Sequence, residues 1–520
     1  MRAWLGLAAI CAATVLVRLR LAGMPLERDE GEYAYMGQLI LRGEVPYVAA
    51  VNMKLPGTYY AYAAVLAAFG ETAEAVRVGL LLANLGAIVL LFLLGRRLLD
   101  AAAGLTAAAT YALLSLSPTV LGLAAKAEHF VVLCVLAGLL VLPGVGARRG
   151  AGRAAVAGAL LGLAVLMKQH GAAFVAFGGA WILWTGWRSG RVRATLAEAA
   201  AFTAGAALPL AATALAMWRA GAFEPFWFWT VTYAREYAVL VPLGVGLGEL
   251  ARQATAIVAA SPALWLLVLL GATAPAWDRA VRAQAPFLAG LTLASCAAIV
   301  PGLRFSEHYF VMLLPAASLL AGAGVTALAR RAGPGLASAA RVGVPLAAVA
   351  ATLLQARATL VAEPVALTRA IYGRNPFPEA IEVARWLAAH TAPDERVAVI
   401  GSEPEIYFLA GRRAATSYMY TYPLMESHPF AHEMQDAMIA ELERARPRVL
   451  VLVNVDTSWS RTPASSLELL AWAETTVNAG YEQVGLIEIP PDGAAVSRWG
   501  AAAQGAAPRT PAFVAVFERR

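Results

Sequence analysis

The sequence predicts a polytopic α-helical membrane protein with a soluble α/β domain at its C-terminal end. The chain has 520 residues, of which 60% are hydrophobic and only 14% are charged, whereas soluble proteins carry about 25% charged residues. The charge is also divided unevenly. Residues 1–361 hold 27 lysines and arginines against 15 acids, and residues 362–520 hold 14 arginines against 19 acids. We therefore expect a membrane domain over 1–361 and an acidic soluble domain over 362–520.

About eleven apolar stretches have the length of roughly 17–22 residues that a bilayer core requires. Arginine clusters lie at alternate turns between these stretches, and the positive-inside rule places such turns in the cytoplasm. The C-terminal domain and a long first loop at 23–75 then lie on the outer side of the cell's inner (plasma) membrane. These flanking arginines explain the basic excess without a nucleic-acid partner. The predicted spans are 4–22, 76–95, 101–118, 129–147, 154–170, 171–187, 196–217, 256–276, 285–302, 311–329 and 342–361.

The tail alternates between helical and strand patterns, which predicts a small sheet covered by helices. Helices are expected at 379–390 and 430–446, and strands at 396–401, 448–454, 481–489 and 512–518. We find no phosphate-binding loop in this region. His428 and His432 are four residues apart, but Pro429 separates them and no acidic motif completes a zinc site.

An acidic cluster, Arg28–Tyr33 (RDEGEY), directly follows the first span. Its three carboxylates, Asp29, Glu30 and Glu32, could deprotonate a hydroxyl or bind a divalent cation. A structural alternative is that Asp29 and Glu32 form a capping box that starts a helix over 33–41. The two interpretations are compatible, because a cap does not occupy every carboxylate oxygen.

Lysine is rare in this chain, which has 38 arginines and only three lysines, Lys54, Lys126 and Lys168. All three fall on or near the outer side of the predicted topology. An ammonium group is a compact charge that suits a phosphate or diphosphate. A chance distribution of so few residues is the alternative.

A third cluster, Arg304–Phe310 (RFSEHYF), lies between two late spans. Arg304, His308 and Tyr309 could bind an anionic head group, or the segment could anchor the chain at the membrane interface. An anchor needs neither Glu307 nor His308, which favours binding. Lys126 and Glu128 form a similar cluster at another outer rim.

Three segments of the first loop resemble bacterial glycosyltransferase family 39, whose relatives include protein O-mannosyltransferases and the lipid A aminoarabinose transferase. They are Asp29–Ala34 (DEGEYA), Arg42–Tyr47 (RGEVPY) and Asn52–Tyr60 (NMKLPGTYY). His308–Phe310 at the start of a late span and the α/β tail are also similar to bacterial members. The resemblance implies the C-type glycosyltransferase architecture, a polyprenyl-phosphate-linked sugar as donor and, usually, inversion at the sugar carbon.

The resemblance also implies roles for individual residues. Asp29 and its neighbour Glu30 are the candidate catalytic carboxylates, and Asp29 is implied to activate the acceptor hydroxyl. Lys54 matches a lysine that contacts the donor phosphate. Glu128 is a candidate second acid. The other candidate substrate-binding residues are Glu32, Lys126, Arg304, His308 and Tyr309.

A divalent metal is the one cofactor that the resemblance raises, with Asp29 as its ligand. In the aminoarabinose transferases a glutamate precedes the conserved lysine and helps to hold a metal, and here that position is Met53. This difference argues against metal dependence.

The sequence leaves the sugar, a hexose or a pentose, and the acceptor, a glycan, lipid or protein, undecided. A ligase or polymerase of lipid-linked glycans is an alternative that the residues barely separate from a glycosyltransferase. A transporter or flippase would carry polar residues in mid-span and two repeated halves. The spans are instead mostly Ala, Leu, Val and Gly, and the polar groups gather at one face of the protein. Membrane lipids are expected partners of the spans.

Overall fold

A computed structural model describes residues 1–144 and 149–520. Arg148 and the end of the predicted span 129–147 lie outside the described residues. The helices of residues 1–361 are α1 Arg2–Arg20, α2 Arg28–Leu41, α3 Gly57–Phe69, α4 Ala73–Leu98, α5 Ala101–Leu114, α6 Ala127–Val141, α7 Ala151–Met167, α8 Ala172–Arg188, α9 Val192–Arg219, α10 Phe223–Trp227, α11 Ala234–Tyr237, α12 Leu243–Ala260, α13 Pro262–Thr273, α14 Arg279–Ile299, α15 Leu314–Arg331, α16 Gly333–Gln355 and α17 Arg357–Val361. Short 3-10 segments at Pro118–Val120, Gln169–Gly171, Ala274–Ala276, Pro301–Leu303 and Glu307–Leu313 and a π-helical segment at Phe228–Tyr233 join them.

Each predicted span overlaps a helix of the structure. Five helices among the described residues are long and apolar enough to cross a membrane, and they are Arg2–Arg20, Ala73–Leu98, Val192–Arg219, Glu307–Arg331 and Gly335–Gln355. The predicted span 256–276 instead falls on two helices, α12 and α13, which are bent by 106° at Ser261. Three further apolar helices, α5, α6 and α7, are shorter. The protein is therefore a mostly helical membrane protein, and the number of eleven spans stays a prediction.

The first loop folds into two helices, α2 and α3, and the predicted cap of α2 was wrong. The helix begins at Arg28, five residues before the predicted start at Tyr33. Glu27 is its N-cap and accepts from the backbone N–H of Glu30 (2.9 Å), while the Glu30 carboxylate accepts from the N–H of Glu27 (3.1 Å). This capping box uses the same spacing two residues earlier, so Asp29 and Glu32 take no part in it.

The C-terminal residues 362–520 form the predicted mixed α/β structure. Its strands are β1 Arg396–Ile400, β2 Arg413–Ala414, β3 Val449–Asn454, β4 Tyr481–Glu488, β5 Val496–Trp499 and β6 Phe513–Arg519. The sheet order is β2-β1-β3-β6-β4-β5. Strands β2, β1 and β3 are parallel, and the β3–β6, β6–β4 and β4–β5 pairs are antiparallel. The four predicted strands are confirmed, and the short strands β2 and β5 were not predicted.

Seven helices accompany the sheet: α18 Pro364–Tyr372, α19 Phe377–His390, α20 Pro404–Ala410, α21 Tyr422–Met425, α22 Ala431–Ala445, α23 Asp456–Trp459 and α24 Glu468–Gly480. A 3-10 turn at Gly500–Ala502 precedes β6. Helices α19 and α22 confirm the two predicted helices within one or two residues.

Helix α2 packs directly on the C-terminal part. A Cβ atom at Gly31 would lie 2.5 Å from the backbone nitrogen of Glu405, at the start of α20. Only glycine therefore permits this approach of the two backbones. One turn further along α2, the Tyr35 ring packs on Tyr407 at 5.2 Å, and its hydroxyl accepts from the N–H of Ala414 (2.8 Å). The C-terminal part thus fixes the position of the acidic first loop.

Candidate active site

The first loop, three segments between the membrane helices and the C-terminal part surround a pocket of about 440 Å³. Five of the residues predicted from the sequence and Lys168 line it together, although they are far apart in the chain. The charged or aromatic residues that line it are Asp29, Lys54, Lys168, His170, Tyr233, Tyr237, Arg304, His308, Tyr309, Tyr420, Tyr422 and Glu426.

Asp29 lies in this wall between two lysines. The Lys54 Nζ donates to its Oδ1 at 2.8 Å, and the Lys126 Nζ donates to its Oδ2 at 2.6 Å. The hydroxyl of Tyr420, from the C-terminal part, also donates to Oδ1 (3.1 Å). The side chain of Asp29 remains 20% exposed, whereas that of Lys126 is only 4% exposed. The Asp29 carboxylate is therefore accessible from the pocket, and the buried Lys126 holds it on the side away from the pocket.

Burial by itself would raise the pKa of the Asp29 carboxyl, because it disfavours the charged form. Lys126 and Lys54, with a smaller contribution from His308, instead hold this pKa well below its usual value. Asp29 is therefore ionised at neutral pH, the state that a proton acceptor requires.

Lys54 links Asp29 to Glu32. Its Nζ also donates to Glu32 (2.5 Å) and lies 4.6 Å from the centre of the Tyr33 ring. The other oxygen of Glu32 accepts from the hydroxyl of Tyr59 (2.7 Å). Burial raises the pKa of Glu32 more than Lys54 lowers it. Glu32 is fully buried, so it holds Lys54 in place from beneath the pocket wall.

Glu30 points away from the pocket. It is fully buried, pairs with Arg77 of α4, and accepts from the backbone N–H of Ala125 (2.6 Å). Arg77 also donates to the carbonyls of Met24 (3.1 Å) and Pro25 (3.0 Å). Glu30 and Arg77 therefore fix the start of the first loop to a membrane helix.

A second set of charges lies at the membrane side of the pocket. Lys168 pairs with Glu128, and its Nζ lies 4.1 Å from the centre of the Tyr309 ring. The His308 Nε2 is 3.8 Å from the same Glu128 oxygen. The other oxygen of Glu128 and the His308 Nδ1 are buried and have no hydrogen-bond partner among the described residues. Buried polar atoms of this kind are available to a ligand.

Arg304 lines the pocket beside Tyr237. Its guanidinium lies 3.9 Å from the centre of the Tyr237 ring and donates to Glu426 (2.9 Å). Glu426 also accepts from the hydroxyl of Tyr233 (2.9 Å). A residue of the C-terminal part therefore holds Arg304 in place.

The chain is similar in structure to several membrane glycosyltransferases. It superposes on ArnT from Cupriavidus metallidurans bound to undecaprenyl phosphate with a TM-score of 0.56 and 16% identity, over 98% of this chain and 97% of that one. The oligosaccharyltransferase of Archaeoglobus fulgidus, in complex with Zn and sulfate, gives 0.51 and 15% over 94% of this chain and 73% of that one. The arabinofuranosyltransferase AftD from Mycobacteria gives 0.54 and 17% over all of this chain and 40% of AftD.

Residues 53–218 match the family described as dolichyl-phosphate-mannose-protein mannosyltransferase. The chain has the fold of these membrane glycosyltransferases. The resemblance seen in the first loop is thereby confirmed, although the matched segment begins after the acidic cluster. No curated protein matches the chain by sequence.

The residues around Asp29 do not fit a divalent metal. Both Asp29 oxygens accept from lysine ammonium groups at 2.6–2.8 Å, which take the positions of a cation and would repel one. Met53, next to Lys54, offers only a thioether, which is a poor ligand for hard cations. In the described part of the chain one other group, His432, Asp436 and Glu468, has ligand atoms within 4.8 Å of one another, and all three residues are exposed.

Sequence reasoning missed the C-terminal residues of this site. Tyr420, Tyr422 and Glu426 line the pocket, but they follow a two-residue strand that gave no pattern. The one available signal was the alternation of Tyr418, Tyr420 and Tyr422, which puts tyrosines on one side of an extended segment. Tyr59, which holds Glu32, lay inside the quoted motif but was not singled out.

Proposed function

We propose that this protein is a glycosyltransferase that moves a sugar from a polyprenyl-phosphate donor to an acceptor hydroxyl in the pocket of about 440 Å³. The observation that carries the proposal is the Asp29 carboxylate in the pocket wall, which Lys54 contacts and which shares the pocket with Lys168. The undecaprenyl phosphate bound to ArnT supports a lipid-linked donor.

In the proposed reaction the acceptor oxygen attacks the anomeric carbon of the sugar from the side of Asp29. The acceptor O–H proton passes to the Asp29 carboxylate, and the bond from the anomeric carbon to the phosphate oxygen breaks. The bonding electrons leave with the phosphate, and attack from the opposite side inverts the configuration. The pocket lysines, Lys54 and Lys168, and Arg304 stabilise the negative charge that develops on the departing phosphate.

Donor binding would also activate the base. Asp29 is a weak proton acceptor while two lysines compensate its charge, because these lysines lower its pKa. A donor phosphate that engages Lys54 competes with Asp29 for the same ammonium group. The Asp29 pKa then rises toward the value that proton transfer needs. The base would thus gain strength when the donor is in place.

The site also supports a proposal about topology. Tyr420 of the C-terminal part contacts Asp29 of the first loop, so both must lie on one side of the membrane. The positive-inside rule, applied to the arginine clusters, supports a position outside the cytoplasm. We therefore propose that residues 362–520 form an extracytoplasmic domain that closes the active site of an inner-membrane enzyme.

The test begins with the donor. Mass spectrometry of lipid-linked sugars in a deletion strain should reveal one species that accumulates, and the purified protein should transfer its sugar. Asp29→Asn should lower the transfer rate by about 10²–10⁴-fold, the usual contribution of general base catalysis. Glu74→Gln is the matched control, since Glu74 is an exposed carboxylate of the same loop. Transfer by Asp29→Asn at the wild-type rate would refute the assignment of the base.

A further inference from the structure

A second pocket, of about 960 Å³, lies between the first loop and the C-terminal part, away from the active site. It opens at the start of strands β1 and β2, whereas the active site lies toward the other end of β1. Six arginines line it, and we call it the arginine pocket: Arg396, Arg413, Arg444, Arg446, Arg448 and Arg519.

The charge of the arginine pocket is opposite to that of its surroundings. Residues 362–520 contain more acids than arginines, yet six of their fourteen arginines line this one pocket. Four carboxylates also line it: Glu44, Asp394, Glu395 and Glu441. Glu441 accepts hydrogen bonds from the hydroxyls of Thr416 (2.6 Å) and Ser417 (3.0 Å), and it forms no ion pair with an arginine among the described residues.

The arginines differ in their partners. Arg413 pairs with Glu44 (2.8 Å), and Arg448 pairs with Glu395 (2.8 Å). Arg396 and Arg444 are exposed, and neither side chain has a hydrogen bond or an ion pair among the described residues. Two guanidinium groups therefore face the pocket without compensation.

We propose that the arginine pocket binds an oligoanion, namely a ligand that carries several phosphate or carboxylate groups. Guanidinium groups bind these groups through two parallel hydrogen bonds. Like charges gathered in one cavity repel each other, and an anionic ligand removes that repulsion. The volume of the pocket accommodates a group larger than a single phosphate.

The position of the pocket connects it to the active site. Chain segments 44–54 and 414–422 line the arginine pocket at one end and the active site at the other. The N–H of Val51 donates to the carbonyl of Ser417 (3.0 Å), so the two segments are joined midway. An oligoanion bound here contacts the same segments that carry Lys54 and Tyr420. This binding does not depend on the proposed transfer reaction.

Binding of inorganic tripolyphosphate tests the proposal. The full-length protein is placed in nanodiscs of neutral lipid, and the affinity is measured by isothermal titration calorimetry. The double variant Arg396→Ala/Arg444→Ala should bind at least about tenfold more weakly, as expected for two lost charge-assisted contacts. Neither side chain has a partner to lose, so the variant should melt at the wild-type temperature.

The control removes the same charge elsewhere. Arg461→Ala/Arg509→Ala changes two exposed arginines of the same part of the chain, which do not line the pocket, and should bind within about twofold of the wild type. Absence of tripolyphosphate binding, or an equal loss in both double variants, overturns the proposal.

A second set of nanodiscs that contain phosphatidylglycerol distinguishes the source of the anion. If anionic lipid weakens tripolyphosphate binding to the wild type, the natural ligand is a lipid head group. If it leaves the affinity unchanged, the ligand is a soluble or glycan-borne anion. Both results support the pocket as an oligoanion site.

Discussion

Lys126 is the residue whose replacement separates the electrostatic role of the site from its structural role. Its Nζ lies 2.6 Å from Asp29 and 2.8 Å from Glu27, and its side chain is 4% exposed. Burial lowers the pKa of Lys126, but Asp29 and Glu27 raise this pKa by more than burial lowers it, so the lysine is charged. Lys126→Met keeps most of the length of the side chain and removes this charge.

Two magnitudes follow for Lys126→Met. Removal of one partner from a buried ion pair costs about 3–5 kcal/mol of stability, since the other charge is left without compensation. The pKa of Asp29 should also rise by about 1–3 units, the usual effect of one adjacent cation on a carboxyl group. Because Asp29 must be ionised to act as a base, the acid side of the pH–rate profile should move to higher pH by this amount.

A second variant separates the two effects. Lys126→Met/Glu27→Gln removes both the lysine charge and the charge of Glu27, its buried partner. This double variant should recover part of the stability that Lys126→Met loses. The pKa of Asp29 should still be raised, because its ammonium partner is absent. Lys126→Arg restores the charge and should return the profile toward that of the wild type.

The assays are thermal unfolding of the purified protein and the initial transfer rate between about pH 2 and pH 9, a range that begins below the usual carboxyl pKa values. If the acid limb of the active Lys126→Met/Glu27→Gln variant coincides with that of the wild type, Lys126 does not control the ionisation of Asp29. The proposed role of the lysines would then be incorrect.

Two further predictions concern the C-terminal part. Tyr420→Phe removes one hydrogen bond to the ionised Asp29 carboxylate, so the pKa of Asp29 should rise and the acid limb of the pH–rate profile should move to higher pH. Tyr60→Phe, at a half-exposed ring, should leave the acid limb unchanged; coincident profiles in the two variants would contradict this role. Burial, with Glu403 nearby, raises the pKa of Glu405 well above its usual value, so its contribution to stability is present at low pH and is lost as the pH rises from about 4.3, the usual carboxyl value, through the folded-state pKa. Glu405→Gln cannot ionise, so its melting temperature should rise relative to that of the wild type as the pH increases, and a constant difference between the two would show that Glu405 is already ionised in the folded protein.

The sequence located most helices and strands because their signals are local. Apolar runs of bilayer length recur through residues 1–361, and the buried strands β1 and β3 are short runs of valine, leucine and isoleucine. The bend at Ser261 left no comparable signal, since both α12 and α13 are apolar and the 106° angle depends on their neighbours. Strand β2 has two residues, which is too few for any period to be detected.

The cap of α2 shows how tertiary contacts override a local pattern. Asp29-x-x-Glu32 and Glu27-x-x-Glu30 have the same spacing, and aspartate is ordinarily the better N-cap. In the structure Arg77 and the N–H of Ala125 bind Glu30, and Lys126 binds Glu27. These partners come from distant parts of the chain, so the choice between the two boxes could not be made from the local sequence.

The sequence by itself determined the class of this protein: its hydropathy, its charge division and the first-loop motif predicted a membrane glycosyltransferase with an α/β tail. The scarcity of lysine also singled out Lys54, Lys126 and Lys168, which the structure places against Asp29 and Glu128. Only the tertiary structure decided that Asp29 faces the pocket, that Glu30 does not, and that Tyr420 and Glu426 complete the wall. The physical reason is that a charge in a buried site is defined by the partners that compensate it, and these partners are brought together by folding from positions up to several hundred residues apart.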